Sequence, residues 1–246
     1  MVAALMLVSS LPAWASPLTL TVKPIQICDN AGTTCGNAAQ TLFEAEGDKI
    51  WAQAGIDLNF LSWGQINNSS YLDVSIGSGA VIDAEAQAIM TAGIAINDTS
   101  VTNAINVFFA QSLDSDPGFF GNGCGGPVFA GFCNNQVGVF IADNVFSYNG
   151  GVGRLDTIAH ELGHVLNLQH TSTPNELMAS GSVRSIPGSI GDIAPDGANL
   201  DRLTASQIAT AQASDYLTQS VPEPSTMSLF GFALFGVAGL RRRRPS

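Results

Sequence analysis

From Leu18 to Ile27 the chain reads LTLTVKPIQI. Apolar and polar positions alternate and many side chains are β-branched, which predicts a strand. Ala39 to Ala54 sets Leu42, Phe43, Ile50 and Trp51 at helical spacing, and Gly55 follows as a helix stop. Ile56 to Leu61 alternates again and predicts a second strand. Ile105 to Ala110 (INVFFA) and Val137 to Ala142 (VGVFIA) are short apolar runs of strand type. A glycine-rich stretch, Asp116 to Asn135, lies between them and holds one more strand candidate, Pro127 to Ala130. Arg154 to Asn167 reads as a helix. Thr204-Ala-Ser-Gln207 is a capping box that opens a last helix, running to about Tyr216. No repeat is visible, and the order β-α-β, further strands, then helices predicts an α+β domain.

Composition changes this picture at the ends. The chain has 246 residues, 46% hydrophobic and 12% charged, with a net charge of −11. That balance excludes a nucleic-acid binder working through a basic face. Met1 to Ala15 is an apolar run closing on Ala13-Trp14-Ala15, the pattern of a secretory signal peptide cleaved before Ser16. No Lys or Arg precedes that run, which puts the expected true start upstream of Met1. At the other end, Val221-Pro-Glu-Pro224 is followed by apolar residues from about Met227 to Leu240 and by Arg241 to Arg244. This order resembles the PEP-CTERM sorting signal of exopolysaccharide-producing Gram-negative bacteria. The resemblance implies export across the inner membrane, transient membrane retention and release by an exosortase-type enzyme. The destination is then the cell surface, the extracellular matrix or the medium. A permanent tail anchor is the alternative. The expected domains are 1–15 (signal peptide), 16–220 (folded body) and 221–246 (sorting tail). Without both ends, five basic residues face nineteen acidic ones and the body carries about −14.

The four cysteines form two near pairs, Cys28/Cys35 and Cys124/Cys133. In an exported protein this predicts two local disulfides, although four cysteines allow three connectivities and a zinc knuckle is the rival reading. All three histidines fall in one window, His160-Glu-Leu-Gly-His164-Val-Leu-Asn-Leu-Gln-His170. On a helix His160 and His164 project from one face and can share a metal, with Glu161 beside them. His170 can join them if the chain turns between, and Asn167 tolerates the left-handed conformation such a turn needs. Three neutral imidazoles and one open position make a catalytic zinc pattern, in which Glu161 acts as general base towards a zinc-bound water. Glu176 as third ligand is a weaker alternative to His170.

These residues resemble the metzincin metallopeptidases, closest to secreted bacterial, matrixin-like members, whose motif is H-E-x-x-H-x-x-G-x-x-H followed by a Met-turn. Asn167 stands where that family usually has Gly. Glu176-Leu-Met178-Ala-Ser180 supplies the Met-turn candidate, Met178. The resemblance implies a mixed, mostly parallel sheet with an antiparallel edge strand, an active-site helix and a small C-terminal subdomain. It also implies a zinc endopeptidase that holds an extended polypeptide against the edge strand. Pro127 to Ala130, held between Cys124 and Cys133, is the candidate for that strand. The expected protein is a monomer. A non-catalytic matrix or adhesion protein on the same scaffold is the second functional reading. Asp192, Asp196 and Asp201, in a glycine-rich loop, are candidates for a structural calcium site, against a solvated acidic loop.

Overall fold

The chain forms, in order, β1 (Leu18–Cys28), α1 (Glu44–Ala52), β2 (Ile56–Phe60), β3 (Gly64–Asn67), β4 (Asp73–Val74), α2 (Ala84–Ala95), β5 (Ile105–Ala110), β6 (Ser112–Leu113), β7 (Gly121–Cys124), α3 (Gly126–Phe129), β8 (Gly138–Ala142), α4 (Asn144–Gly151), α5 (Thr157–Val165), α6 (Ala205–Gln212) and β9 (Leu217–Gln219). These come from a computed structural model that describes residues 17–77, 79–96 and 103–219. The expected signal peptide and sorting tail lie outside the described residues.

The main sheet runs β2-β1-β5-β8-β7, and β3 and β9 also pair with β1. The contacts of β1 with β2, β3 and β5, and of β5 with β8, are parallel. β7 is antiparallel to β8 and stands at the edge. Every residue of β5 and β8 is buried, so both strands read as continuous apolar runs, as strands covered on two faces do. The period of two still shows in where the side chains go. Ile105, Val107 and Phe109 enter one core with Trp51, Ile158 and Leu162, whereas Phe108 and Ala110 enter the other with Ile89 and Met90. α1 and α5 thus share one layer beneath the sheet, and α2 serves the opposite face.

Pro127 to Ala130 is not a strand. Its first three residues belong to α3, with Pro127 in the first turn, where a missing N–H costs nothing. The Cys124–Cys133 disulfide holds the two Cα atoms 5.5 Å apart, so the loop between them must double back. The antiparallel edge strand is β7, a few residues upstream. Its sequence, Gly-Asn-Gly-Cys, has the lowest strand propensity of any pairing segment here. The second disulfide, Cys28–Cys35, completes the pairing expected from the spacing.

Candidate metal centre and cleft

All nine residues of α5 are buried. The helix can carry two histidines and a glutamate inward because Ile158, Leu162 and Val165 anchor it in the core. It ends in a Schellman motif: Asn167 N–H donates to the His164 carbonyl at 3.0 Å, and Leu168 N–H to the Gly163 carbonyl at 2.9 Å. Asn167 takes φ 70°, the left-handed turn expected of it. The chain then doubles back and delivers His170 to the other two histidines.

The three side chains offer ligand atoms that all lie within 4.8 Å of one another. His170 Nε2 lies 3.2 Å from His160 Nε2 and 3.1 Å from His164 Nε2. Three nitrogens around a tetrahedral zinc at about 2.0–2.1 Å sit roughly 3.3 Å apart, so the spacing fits. The tautomers fit as well. His160 Nδ1 lies 2.6 Å from the Leu177 carbonyl and His164 Nδ1 2.9 Å from the Leu168 carbonyl. A carbonyl can only accept, so each Nδ1 carries the proton and each Nε2 presents a lone pair. Burial first, and then the positive charge of Arg184, hold His160 well below its ordinary value. Burial likewise brings His164 down to about 4 and lowers His170. Three neutral lone pairs facing one point repel unless a cation lies between them, so the donor set suits zinc. Glu176 takes no part in this cluster.

Glu161 shares a cleft of about 300 Å³ with His164 and His170. Burial raises its carboxyl to about 7, against the pull of Arg184, Arg154 and the Gly123 N–H. That places a proton acceptor near neutrality. The glycines of β7 exist for this contact. A Cβ on Gly121 would stand 2.9 Å from Glu161 Cγ, and one on Gly123 would stand 2.3 Å from the Glu161 carbonyl oxygen. No larger residue lets the edge strand lie this close to α5.

Met178 is fully buried beneath the motif helix. A Cβ on Gly163 would meet its sulfur at 2.4 Å. The helix therefore needs glycine at this position in order to sit on the methionine. Gly163→Ala is expected to cost roughly 1–3 kcal/mol by overpacking, and less in a Met178→Ala background. Urea denaturation of the two single variants and the double variant checks this, and strictly additive costs would contradict the contact.

Sequence spacing gave no sign of a buried charge cluster behind the histidines. Arg184 Nε lies 3.0 Å from Asp156 Oδ2, with side chains 4% and 0% exposed. Neither atom meets hydrogen-bond geometry, so the attraction is Coulombic. Arg154 is buried too, with its guanidinium 4.2 Å above the Phe120 ring. Asp201 is fully buried. Burial and the negative charge of Asp156 raise its carboxyl to about 8. The folded state then keeps a proton that the unfolded chain releases above about pH 4, so stability falls as pH rises from about 4 towards 8. Asp201→Asn cannot ionise, and its stability relative to wild type should grow across that window. Denaturation at pH 5 and pH 8 tests this, and a constant difference between the two proteins would refute it.

The three aspartates considered for calcium do not converge. Asp196 pairs with Lys49 at 2.8 Å, Asp192 accepts from Gly188 N–H and Ser189 Oγ, and Asp201 faces inward. Among the described residues the histidines form the metal-competent group.

A model described as metallo-peptidase family M12B, reprolysin-like, matches residues 27–171, more than half of the sequence, and the chain belongs to that family. The match agrees with the metzincin resemblance and carries no information on the matrixin-like subtype. Residues 220–244 match the PEP-CTERM protein-sorting motif. No curated protein is a significant match. Among solved structures, the chain is similar to metalloproteinase-II from Bacteroides fragilis, at 14% identity and TM-score 0.41, over 82% of this chain and 54% of that one. It therefore spans about half the length of that protein. It is also similar to archaemetzincin from Methanopyrus kandleri, at 11% identity and TM-score 0.40, over 78% of this chain and 94% of that one. A zinc-dependent peptidase from Methanocorpusculum labreanum shows 11% identity and TM-score 0.39, over 77% and 99%.

Proposed function

We propose that the chain is an exported zinc endopeptidase whose working body is residues 16–220. The observation that carries this reading is the convergence of three neutral imidazole lone pairs, from His160, His164 and His170, beside a buried carboxylate in an open cleft. When bound, zinc supplies Lewis acidity, polarising the scissile carbonyl and making water more acidic. Glu161 takes the proton of the attacking water and hands it to the departing amine. Leu177 and Leu168 hold the imidazole rings through their carbonyls, and Met178 supports the helix from below. An extended polypeptide adds to the outer edge of β7 and lies across Glu161.

The N-terminal 1–15 segment directs export and is removed. The tail from 221 to 246 passes through the membrane stage and is cut by an exosortase-type enzyme, which releases a monomeric enzyme at the cell surface, into the matrix or into the medium. Casein or gelatin cleavage by the zinc-loaded protein, abolished by a chelator and restored by zinc, tests the reading. If zinc-loaded protein shows no cleavage and Glu161→Ala behaves identically, the non-catalytic matrix role takes its place.

A further inference from the structure

No basic residue of the folded body stands exposed. Lys23 is buried in β1, and its Nζ donates to the Ser62 carbonyl at 2.6 Å. Lys49 pairs with Asp196 at 2.8 Å. Arg154 is buried, and the Arg184 side chain lies buried against Asp156. Arg202 is half-buried, with its Nε shut off from solvent. Glu44, Asp57, Asp73, Asp114, Asp116 and Asp215, by contrast, are exposed. Among the described residues, exposed charge is therefore of one sign.

The same sign continues into the grooves around the histidines. The cleft that holds Glu161 shares His170 with a second groove, of about 380 Å³, lined by Thr171, Glu176, Thr204, Ser206 and Gln207. That groove shares Asn167 and Thr210 with a third, of about 750 Å³, which reaches Asp215. Glu161, Glu176 and Asp215 are the acidic residues of these linings, and no described lysine or arginine joins them. Asp73, Asp114 and Asp192 accept hydrogen bonds from their own surroundings. Glu176 differs. It is half-buried, and among the described residues its carboxylate has neither a hydrogen bond nor an ion pair. Thr171 Oγ1 and Gln207 Nε2, from the same lining, are also buried without partners. A carboxylate set in a groove and left unpaired loses hydration without gaining a partner, and a cation supplied from outside offsets that loss.

We propose that the substrate is a basic polypeptide and that Glu176 pairs with one of its lysine or arginine side chains in the groove beyond His170. This rests on the endopeptidase reading. A groove lined by one sign of charge focuses the field and raises association rates of opposite charge by about 10–10³-fold. Salt at 0.1 M screens charges more than about 10 Å apart. Glu176 stands in the groove itself and acts at contact distance. Glu44 and Asp57 belong to α1 and β2, and β2 lies at the end of the sheet away from β7. Their charge adds little at His170. An acidic chain meets like charge in every groove.

The test maps the bonds that the zinc-loaded full-length chain cleaves in a mixed peptide library, at roughly 20 mM and roughly 500 mM salt. At low salt, one position near the cut is expected to favour Lys or Arg over Glu by about tenfold or more in kcat/KM, and high salt should shrink that ratio severalfold. Glu176→Gln should lower the ratio by about tenfold at low salt, through KM, with one zinc per chain retained. Glu44→Gln combined with Asp57→Asn removes more charge and should leave the ratio within about twofold of wild type. A ratio is insensitive to the fraction of protein that folds. Three results overturn the proposal and leave the endopeptidase reading standing: no preference for basic over acidic residues, a preference indifferent to salt, or an equal fall in the Glu176 variant and the remote pair. If nothing is cleaved, binding of fluorescent hexapeptides to zinc-loaded Glu161→Gln protein decides. Tighter binding of a lysine peptide than of its glutamate counterpart, lost on adding Glu176→Gln, supports the proposal. Equal binding of the two peptides, or binding that Glu176→Gln leaves intact, overturns it.

Discussion

Replacing Glu161 by glutamine is expected to lower kcat by about 10²–10⁴-fold while one zinc per chain stays bound. The substitution keeps the shape, and its amide oxygen can still accept from Gly123 N–H. What it removes is the proton acceptor that burial holds near pH 7. The proposed metal ligands are three imidazoles, and Glu161 is not among them, so zinc content should be unchanged. Zinc measured by mass spectrometry and peptide hydrolysis measured on the same preparation check both halves. Activity within tenfold of wild type would remove Glu161 from the chemistry. Loss of zinc would make it a ligand or a structural group.

Asp156→Ala is expected to destabilise the protein by roughly 3–5 kcal/mol, because it leaves the Arg184 side chain buried without its partner. For a domain of this size that corresponds to a fall of roughly 6–20 °C in Tm. The pair joins the start of the motif helix to the segment after Met178, and the Leu177 carbonyl, between them in the chain, accepts from His160 Nδ1. The body has few basic residues, so the two buried guanidinium groups of Arg154 and Arg184 are a large share of its positive charge. Replacing both partners with apolar residues, as in Asp156→Leu with Arg184→Met, should recover most of the loss, since desolvation of the pair offsets much of its attraction. A single variant within 2 °C of wild type, or a double variant worse than either single one, would contradict the account.

The parts legible in the sequence are those set by local physics. The apolar runs of β5 and β8 end within a residue or so of their expected limits. The Thr204/Gln207 capping box forms as read. Asn167 takes the left-handed turn that the return of His170 requires, and His170 reaches the other two histidines. The errors come from tertiary constraints. α1 begins at Glu44 and not at Ala39, because Gln40 and Phe43 take positive φ. α5 begins at Thr157 and not at Arg154, because Arg154 and Asp156 are drawn into the charge cluster, and Gly153 before them takes φ 90°. α6 ends at Gln212, short of Tyr216, and the chain goes on into β9. α2 was missed because its Ala84–Ala95 sequence is apolar nearly all round and shows no clear face.

β7 is hidden in the sequence for the opposite reason: its glycines argue against a strand until the helix that they allow to approach is known. Pro-Val-Phe-Ala has the side chains of a strand. A proline, a disulfide and a cap from Asn167 make it a helical turn. Alternate glycines at Gly121, Gly123 and Gly125 were the available clue to a close backbone approach. The contacts of Arg184 with Asp156 join residues far apart in the chain, and no spacing rule reaches them.

The proposed zinc centre is built from three imidazoles with one open position. X-ray absorption at the zinc edge of the stoichiometrically loaded protein tests it most directly. The expected shell is three imidazole nitrogens and one oxygen donor, all at about 2.0–2.1 Å, with one imidazole lost in His170→Ala. A sulfur scatterer, a fourth histidine-like shell or an unchanged spectrum in His170→Ala would contradict it.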